Sequence, residues 1–406
     1  MFVSRLRLVN FRSHDDVTVD FAPGLNVIVG RNASGKTNLL EGAWFALRAS
    51  SPRTTKDDKA VRWGAGYARA EATIAAGDDG PTRTLAVAYA PGQTKQARVD
   101  GADVVALDDL RRHGWVFIFV PESLLLVKGS PARRRAHLDA FGAALDPAYE
   151  AGLRDLNLVL RQRNAQLFRV REGAPADTLD AWDRQLARVA LPFAARRAAL
   201  VACLAASFRA FAAALAPDND VFSLTLVSQL DDLPPVGTAS TAGKPAEGAR
   251  EAAFLAALRA RRSGEVGRAT STYGPHRDDL RFAEETSAAP DTASDAAGSE
   301  PGGAAVAGAR PGGRDLRLFG SQGEQRAAVL ALLLAERAVA ADTAGDLGAL
   351  LLDDVMSELD DARRRLLVET LTAGGQVIIT TTNRLYFTPD ELARARVIAL
   401  GGEEAL

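Results

Sequence analysis

The chain has 406 residues, 47% hydrophobic and 25% charged, enough to bury a sizeable core and to divide into two domains, one of them discontinuous. A net charge of −2 and a pI near 6.2 exclude a uniformly basic surface, so any contact with nucleic acid has to come from a local patch. One cysteine, Cys203, excludes an intrachain disulfide, and four scattered histidines (His14, His113, His137 and His276) lack the spacing of a zinc site.

Residues 1–7 lack the continuous apolar core of a signal peptide, and no run reaches the roughly 18 apolar residues of a membrane span. A soluble protein of the reducing cytoplasm is expected. Residues 2–9 and 16–21 alternate apolar and polar and read as two strands. Leu25-Asn26-Val27-Ile28-Val29 is a short apolar strand running into a glycine loop. Residues 36–49 then read as a helix, with Leu39, Leu40, Ala43, Trp44 and Leu47 at helical spacing. Segments 68–76, 82–90 and 96–105, separated by Gly and Pro turns, form an antiparallel meander. Residues 114–120 make a buried strand stopped by Pro121.

From about 131 to 216 the pattern turns helical. Asp146 can cap a helix whose first residue is Pro147, and Leu153, Leu156, Leu160 and Leu167 follow as a packing stripe. A second helical stretch, 178–215, is expected to bend or break at Pro192. Strand character returns at 221–229, followed by a linker over 234–250 and a helix near 249–262. Residues 270–273 and 280–282 read as strands flanking Gly274-Pro275-His276-Arg277-Asp278-Asp279. Residues 284–313 are low in complexity and read as a mobile surface loop. A helix over 322–341, a strand over 348–353, a helix over 361–373 and a strand over 376–381 close the chain.

Three distant stretches carry the chemistry. Gly30-Arg31-Asn32-Ala33-Ser34-Gly35-Lys36-Thr37 fits the phosphate-loop pattern between a predicted strand and a predicted helix. Its backbone N–H groups and the helix N-terminus favour phosphate; Lys36 would neutralise the β- and γ-phosphates, and Thr37 would ligate Mg2+. Lysine occurs otherwise only at Lys56, Lys59, Lys95, Lys128 and Lys244, so Lys36 stands out in an arginine-rich chain. Leu350-Leu351-Leu352-Asp353-Asp354 is an apolar strand ending in two acids. Asp353 is placed to hold Mg2+, and Asp354 to orient or deprotonate an attacking water. Ser321-Gln322-Gly323-Glu324-Gln325 opens a long helix, either as an anion receptor or as an ordinary serine cap with Glu324 closing a capping box.

Taken together these stretches resemble the ABC-type ATPase heads of the SMC and RecF group, most closely the RecF family of bacterial recombination mediators. Segments specific to that family are Leu8-Val9-Asn10-Phe11-Arg12, Ser51-Pro52-Arg53-Thr54-Thr55, Lys128-Gly129-Ser130-Pro131, Gly274-Pro275-His276-Arg277-Asp278-Asp279-Leu280 and the run from Asp353 to Asp360. The resemblance implies an α/β ABC-type head with an inserted, mainly helical subdomain: lobe I over 1–130, the insertion over 131–265 and lobe II over 266–406. It implies that Ser321, Gln322, Gly323 and Glu324 form the signature that meets ATP on another copy. Ser357, Glu358, Leu359 and Asp360 match the D-loop at the dimer seam. Arg12 and Ser13 match the region near the adenine, and Thr54 and Thr55 flank the nucleotide, with Asn38 just inside the helix.

Three departures stand out. Pro121-Glu122 occupies the place of the Q-loop glutamine, and Thr380-Thr381-Thr382 that of the switch histidine, while Asp354 replaces the usual glutamate. Slow hydrolysis is therefore expected, as in a timed clamp. The resemblance further implies DNA gap repair, loading of RecA with RecO and RecR, and the SOS response, on single-stranded, double-stranded and gapped DNA. Lys56, Arg111, Arg112, Arg133, Arg134 and Arg135 are candidate phosphate contacts, joined by Lys59, Arg259, Arg261 and Arg262. Few aromatics interleave with these runs, which favours backbone recognition over base stacking. About 60 helical residues each way would reach only ~90 Å, without sustained heptads, so a long coiled-coil arm is excluded. An ATP-binding scaffold without turnover and a transporter ATPase subunit remain as alternatives.

Overall fold

The computed structural model describes every residue except 78–79, 217–220, 235–245, 286–312, 359, 373 and 402–406. In chain order the strands and helices begin with β1 (Phe2–Phe11), β2 (His14–Asp20), β3 (Leu25–Val29) and α1 (Lys36–Arg48). The meander β4 (Ala68–Ala75), β5 (Thr82–Tyr89), β6 (Gln96–Val99) and β7 (Ala102–Asp103) follows, then β8 (Val116–Phe119). Helices α2 (Leu125–Lys128), α3 (Pro131–Leu145), α4 (Pro147–Arg171) and α5 (Leu179–Leu215) lead to β9 (Phe222–Val227) and α6 (Ala246–Arg268). The remainder is β10 (Asp279–Glu284), β11 (Arg314–Asp315), α7 (Leu316–Phe319), α8 (Gln322–Ala344), β12 (Ala349–Asp353), α9 (Asp361–Thr372), β13 (Gln376–Thr381), α10 (Pro389–Arg394) and β14 (Arg396–Ala399). These divide into two compact units: residues 1–125, 210–219 and 322–406, and residues 126–209 and 220–321.

In the first unit the strands form a parallel sheet in the order β14-β3-β13-β12-β8 and an antiparallel sheet in the order β2-β1-β4-β5-β6-β7. Strands β3, β12 and β13 are buried along their whole length, which explains the apolar runs Val27-Ile28-Val29, Leu350-Leu351-Leu352 and Val377-Ile378-Ile379 within them. Helix α1 shares one core with both sheets: its Leu39, Phe45 and Leu47 pack with Leu6, Leu8 and Phe11 of β1 and with Ile28, Ile118, Leu351 and Ile378 of the parallel strands. The approach of α1 to β1 is close enough that a Cβ on Gly42 would stand 2.5 Å from a Leu8 methyl. Parallel register pairs Asp353 with Thr380 and Thr381 with Val29, so the carboxyl ends of β12, β13 and β3 meet at one edge, where ligands of α/β sheets bind.

The second unit carries the helices around a small antiparallel sheet, β11-β10-β9. The Asp146 cap is present, its carboxylate accepting from the Ala148 N–H at 2.8 Å with Pro147 at the first helical position. Leu156, Leu160 and Leu167 of α4 are buried as the stripe requires. Two arginines are fully enclosed. Arg163 is held by Asp183, Glu265 and Ser271, and Arg197 by Asp139, Asp278, the Tyr149 hydroxyl and the Pro275 carbonyl.

Several expectations are corrected here. Of the bend or break expected at Pro192 the break does not occur: helix α5 continues through Pro192, which lies on the exposed face, where water can donate to the carbonyl that the missing N–H leaves open. Residues 270–273 are not a strand, because side chains take their backbone groups: Asn164 accepts from Ser271 N at 2.8 Å and Glu265 from Thr272 N at 2.6 Å. Helix α6 begins at Ala246 and extends to Arg268, well beyond 249–262, and most of the 234–250 linker lies outside the described residues. So does nearly all of the low-complexity loop 284–313. Residues 266–321 fall in the second unit, since β10 pairs with β9. Helix α5 is also long and apolar enough to cross a membrane by composition, but its Leu186, Ala190, Phe193, Leu204 and Phe208 form a buried stripe, as in the core helix of a folded unit.

Candidate functional site

The glycine loop joins β3 to α1, and its backbone is shaped for close approach by a ligand. Ala33 has φ 65° and Gly35 φ 96°, both left-handed. At Gly35 a Cβ would meet the His14 ring at 2.7 Å, so both conformation and space call for glycine. His14 Nε2 lies 3.1 Å from the Gly35 carbonyl, and burial holds the imidazole below its ordinary pKa. The Lys36 ammonium donates to the carbonyls of Gly30 at 2.7 Å and Arg31 at 2.9 Å. Burial pulls its pKa down, against the opposing pull of Asp354 and Asp353. A cleft of about 350 Å3 opens above the loop, lined by residues 32–38 with Arg53, Asp353, Asp354 and Thr382.

Strand β12 delivers the two acids to this cleft. Thr37 Oγ1 lies 2.9 and 2.8 Å from the two carboxylate oxygens of Asp353, so residues 316 positions apart are joined directly. The buried Thr380 hydroxyl donates to the same carboxylate at 2.7 Å and accepts from the Asp354 N–H at 3.0 Å. Asp354 itself sits at φ 46°, a strained position for a residue with a side chain. Ser357 donates to its Oδ2 at 3.1 Å, whereas Oδ1 is buried without a partner among the described residues. Burial pushes the Asp354 carboxyl up, with Ser357 lowering it and the Asp353 charge raising it. Sequence reasoning placed Ser357 in the D-loop; the structure makes it the clamp on Asp354. Leu359 lies outside the described residues, and Asp360 caps α9 by accepting from Arg363 N at 2.9 Å.

Behind the loop lies a network that the sequence did not disclose. Glu41, one turn beyond Thr37 on α1, is wholly buried and accepts from the Arg12 fork at 2.5 and 3.0 Å and from Ser51 at 2.5 Å. Arg12 is thereby committed to Glu41, while Ser13 Oγ accepts from Asn38 at 2.9 Å. Arg53 lines the cleft instead of Thr54 and Thr55, reaching Asn38 at 3.3 Å and Glu122 at 3.2 Å. Thr54 spends its hydroxyl on the Lys56 N–H at 3.1 Å. The only signal for Glu41 was a lone acid on an otherwise apolar helix face.

The remaining candidates separate. Ser321, Gln322 and Gly323 are exposed at the start of α8, while Glu324 is buried. Arg133, Arg134 and Arg135 do not form one basic patch. Arg134 is buried and grips Asp279 with two bonds at 2.7 and 2.8 Å, and Arg135 donates to the Asp278 carbonyl at 2.6 Å, leaving Arg133 exposed. An aliphatic stem emerging from a crowded helix start lets Arg134 turn inward, which a run of letters cannot reveal. Arg262 likewise turns to Asp180 and Asp183, and Arg261 stacks on Tyr273 at 4.4 Å. Lys56, Lys59, Arg112 and Arg259 remain exposed, and Arg111 is partly covered.

Comparison with known proteins gives the family. An AAA domain model matches residues 5–99, the segment holding the phosphate loop. The chain is 36% identical to the DNA replication and repair protein RecF of Heliobacterium modesticaldum, over 98% of this chain and 96% of that one. It is 33% identical to RecF of Halalkalibacterium halodurans over 94% and 93% of the two chains. Its fold matches the solved structure of the recombination mediator protein RecF with ATP at a TM-score of 0.75, with 25% identity over 94% of this chain and 92% of that one. An SMC head bound to the C-terminal winged-helix domain of ScpA matches at 0.54 with 14% identity over 100% and 96% of the chains, a likeness of fold alone. The architecture is that of an ABC-type ATPase head with an inserted helical subdomain, and the chain belongs to the RecF family of DNA replication and repair proteins.

Proposed function

We propose that the chain is a magnesium-ATP-dependent DNA clamp. The observation that carries the reading is the Thr37–Asp353 contact, which brings the phosphate loop and the acidic strand end within one hydrogen bond. Among the described residues no cluster of three or more His, Cys, Asp or Glu could hold a metal by itself. The donor set nonetheless fits magnesium, which commonly takes one or two protein oxygens and completes its shell with phosphate and water. Bound magnesium would neutralise charge on the β- and γ-phosphates. Lys36 would exchange its loop carbonyls for those phosphates. Asp354 accepts the proton of the attacking water as the water oxygen bonds to the γ-phosphorus and the bridge to the β-phosphate breaks. Its unpartnered Oδ1 and raised proton affinity suit that role.

ATP then joins two copies head to tail, Lys36 and Thr37 of one facing Ser321 and Gly323 of the other. Exposure of Ser321, Gln322 and Gly323 at the first turn of a 23-residue helix supports this, because such an end attracts anions. The dimer clamps gapped DNA at single-strand/double-strand junctions in the cytoplasm. It helps load RecA together with RecO and RecR during the SOS response, and slow, DNA-stimulated hydrolysis releases it. The solved RecF–ATP relative, a mediator of the RecFOR pathway, supports the placement. A second reading, an ATP-binding scaffold without turnover, is favoured by Pro121-Glu122 and Thr380-Thr381-Thr382 standing where a sensing glutamine and a histidine would act. Light scattering of Ser321→Arg tests the dimer: it should bind ATP yet stay a monomer, and ATP-driven dimerisation of that variant refutes the arrangement. Turnover with and without gapped DNA separates the two readings.

A further inference from the structure

Residues 61–67 form a turn that holds Trp63 99% exposed, more than any other aromatic side chain among the described residues, with Tyr67 47% exposed four positions on. Gly64 and Gly66 lie between the two in the chain, and nothing lies within 4 Å of where a Cβ would stand on either. The base of the turn is firmly held. Arg62 N donates to the Asn10 carbonyl at 2.8 Å, Arg12 N to Ala60 at 2.8 Å, Ala65 N to Arg62 at 3.0 Å, and Arg62 pairs with Asp15 at 2.9 Å. An indole mounted on an ordered base loses little freedom when it meets a ligand.

The cations nearby are of two kinds. Arg62 and Arg69 are spent on Asp15 and Glu71. Lys56 and Lys59, just upstream, are exposed and form no ion pair among the described residues. Two exposed, unspent ammonium groups within seven residues of Trp63 in the chain, and two open aromatic rings, suit a phosphodiester and its base: charge for the backbone, a π face for the unpaired base. A protein anchor would sit inside a wider apolar patch, and the neighbours of Trp63 are Arg62 and Gly64 instead.

We infer that Trp63, with Tyr67, Lys56 and Lys59, is a stacking site for an unpaired nucleobase of DNA. The inference rests on the clamp reading and gives that clamp a means of telling a gap from intact duplex. It replaces, for this one loop, the expectation of backbone recognition alone. The turn is also linked to the phosphate loop. Residues 10–15 carry the bonds to the Trp63 turn on one side, and on the other place Arg12 on Glu41, Ser13 on Asn38 and His14 on Gly35.

The test compares wild type, Trp63→Ala and Trp63→Phe, each with ATP and at one salt concentration, on a duplex bearing a single-stranded gap and on a blunt duplex of equal length. Trp63→Ala should bind the gapped DNA about tenfold more weakly, the scale of one lost base stack, with blunt duplex unchanged and Trp63→Phe largely restored. Equal binding by wild type and Trp63→Ala, or an equal loss on both DNAs, overturns the inference while leaving the clamp. Failure of the wild type to bind either DNA overturns both.

Discussion

Replacing Arg134 separates an internal brace from a DNA contact. Its guanidinium is 3% exposed and makes two bonds to Asp279, at 2.7 and 2.8 Å, plus one each to the carbonyls of Val127 at 3.1 Å and Gly129 at 2.9 Å. Arg134→Ala strands that carboxylate and two carbonyls. Breaking a buried pair costs about 3–5 kcal/mol, and because the Asp279 side chain is 28% exposed the lower end applies, ~3 kcal/mol. At about 2–4 °C per kcal/mol for a unit of this size, the melting temperature should fall by about 6–12 °C. Arg134→Lys should rescue only in part, since an ammonium cannot reproduce the fork. Circular dichroism melts of the full chain give the first readout, and the salt dependence of DNA binding the second. Arg133→Ala is the counterpart: no change in melting, with the salt slope reduced by about one if that residue meets a phosphate. A wild-type melt for Arg134→Ala together with a reduced salt slope would refute the internal assignment.

Asp354→Asn should lower turnover about 10²–10⁴-fold and leave ATP binding and a long-lived dimer in place, read by phosphate release and light scattering; rapid turnover removes Asp354 from its role. Glu41→Ala should destabilise the first unit by about 3 kcal/mol by leaving Arg12 unpaired, and loss of less than about 0.5 kcal/mol in urea titration would contradict the network behind the loop. His276 is held at a pKa of about 4 by burial, with its Nδ1 shut away unpartnered. Below about pH 6.5 the unfolded chain takes up a proton that the fold refuses, so stability should fall between about pH 6.5 and 4, by at most ~3 kcal/mol. His276→Gln should flatten that slope in denaturation series taken across the window, and an unchanged slope rules the histidine out as its source.

Local rules carried the sequence a long way. Strand-loop-helix spacing around Gly30 to Thr37, the apolar triplets Leu350-Leu351-Leu352 and Val377-Ile378-Ile379, and the Asp146-Pro147 start of α4 depend on neighbours within a few residues, so they could be read before any fold was known. The identities of Lys36, Thr37, Asp353 and Asp354 as one group followed from motif order. What only the tertiary structure decided is where flexible polar side chains go. Glu41 joins the site because α1 is buried against two sheets, and Arg53 because the loop after α1 returns to the cleft. Thr380 reaches Asp353 because β13 lies between β3 and β12, a pairing across the chain that no local pattern encodes. Arginine runs are the clearest case. Arg133 and Arg134 are adjacent letters about 100° apart around a helix, so one faces water and the other a buried carboxylate, and the long stem of each lets its surroundings choose.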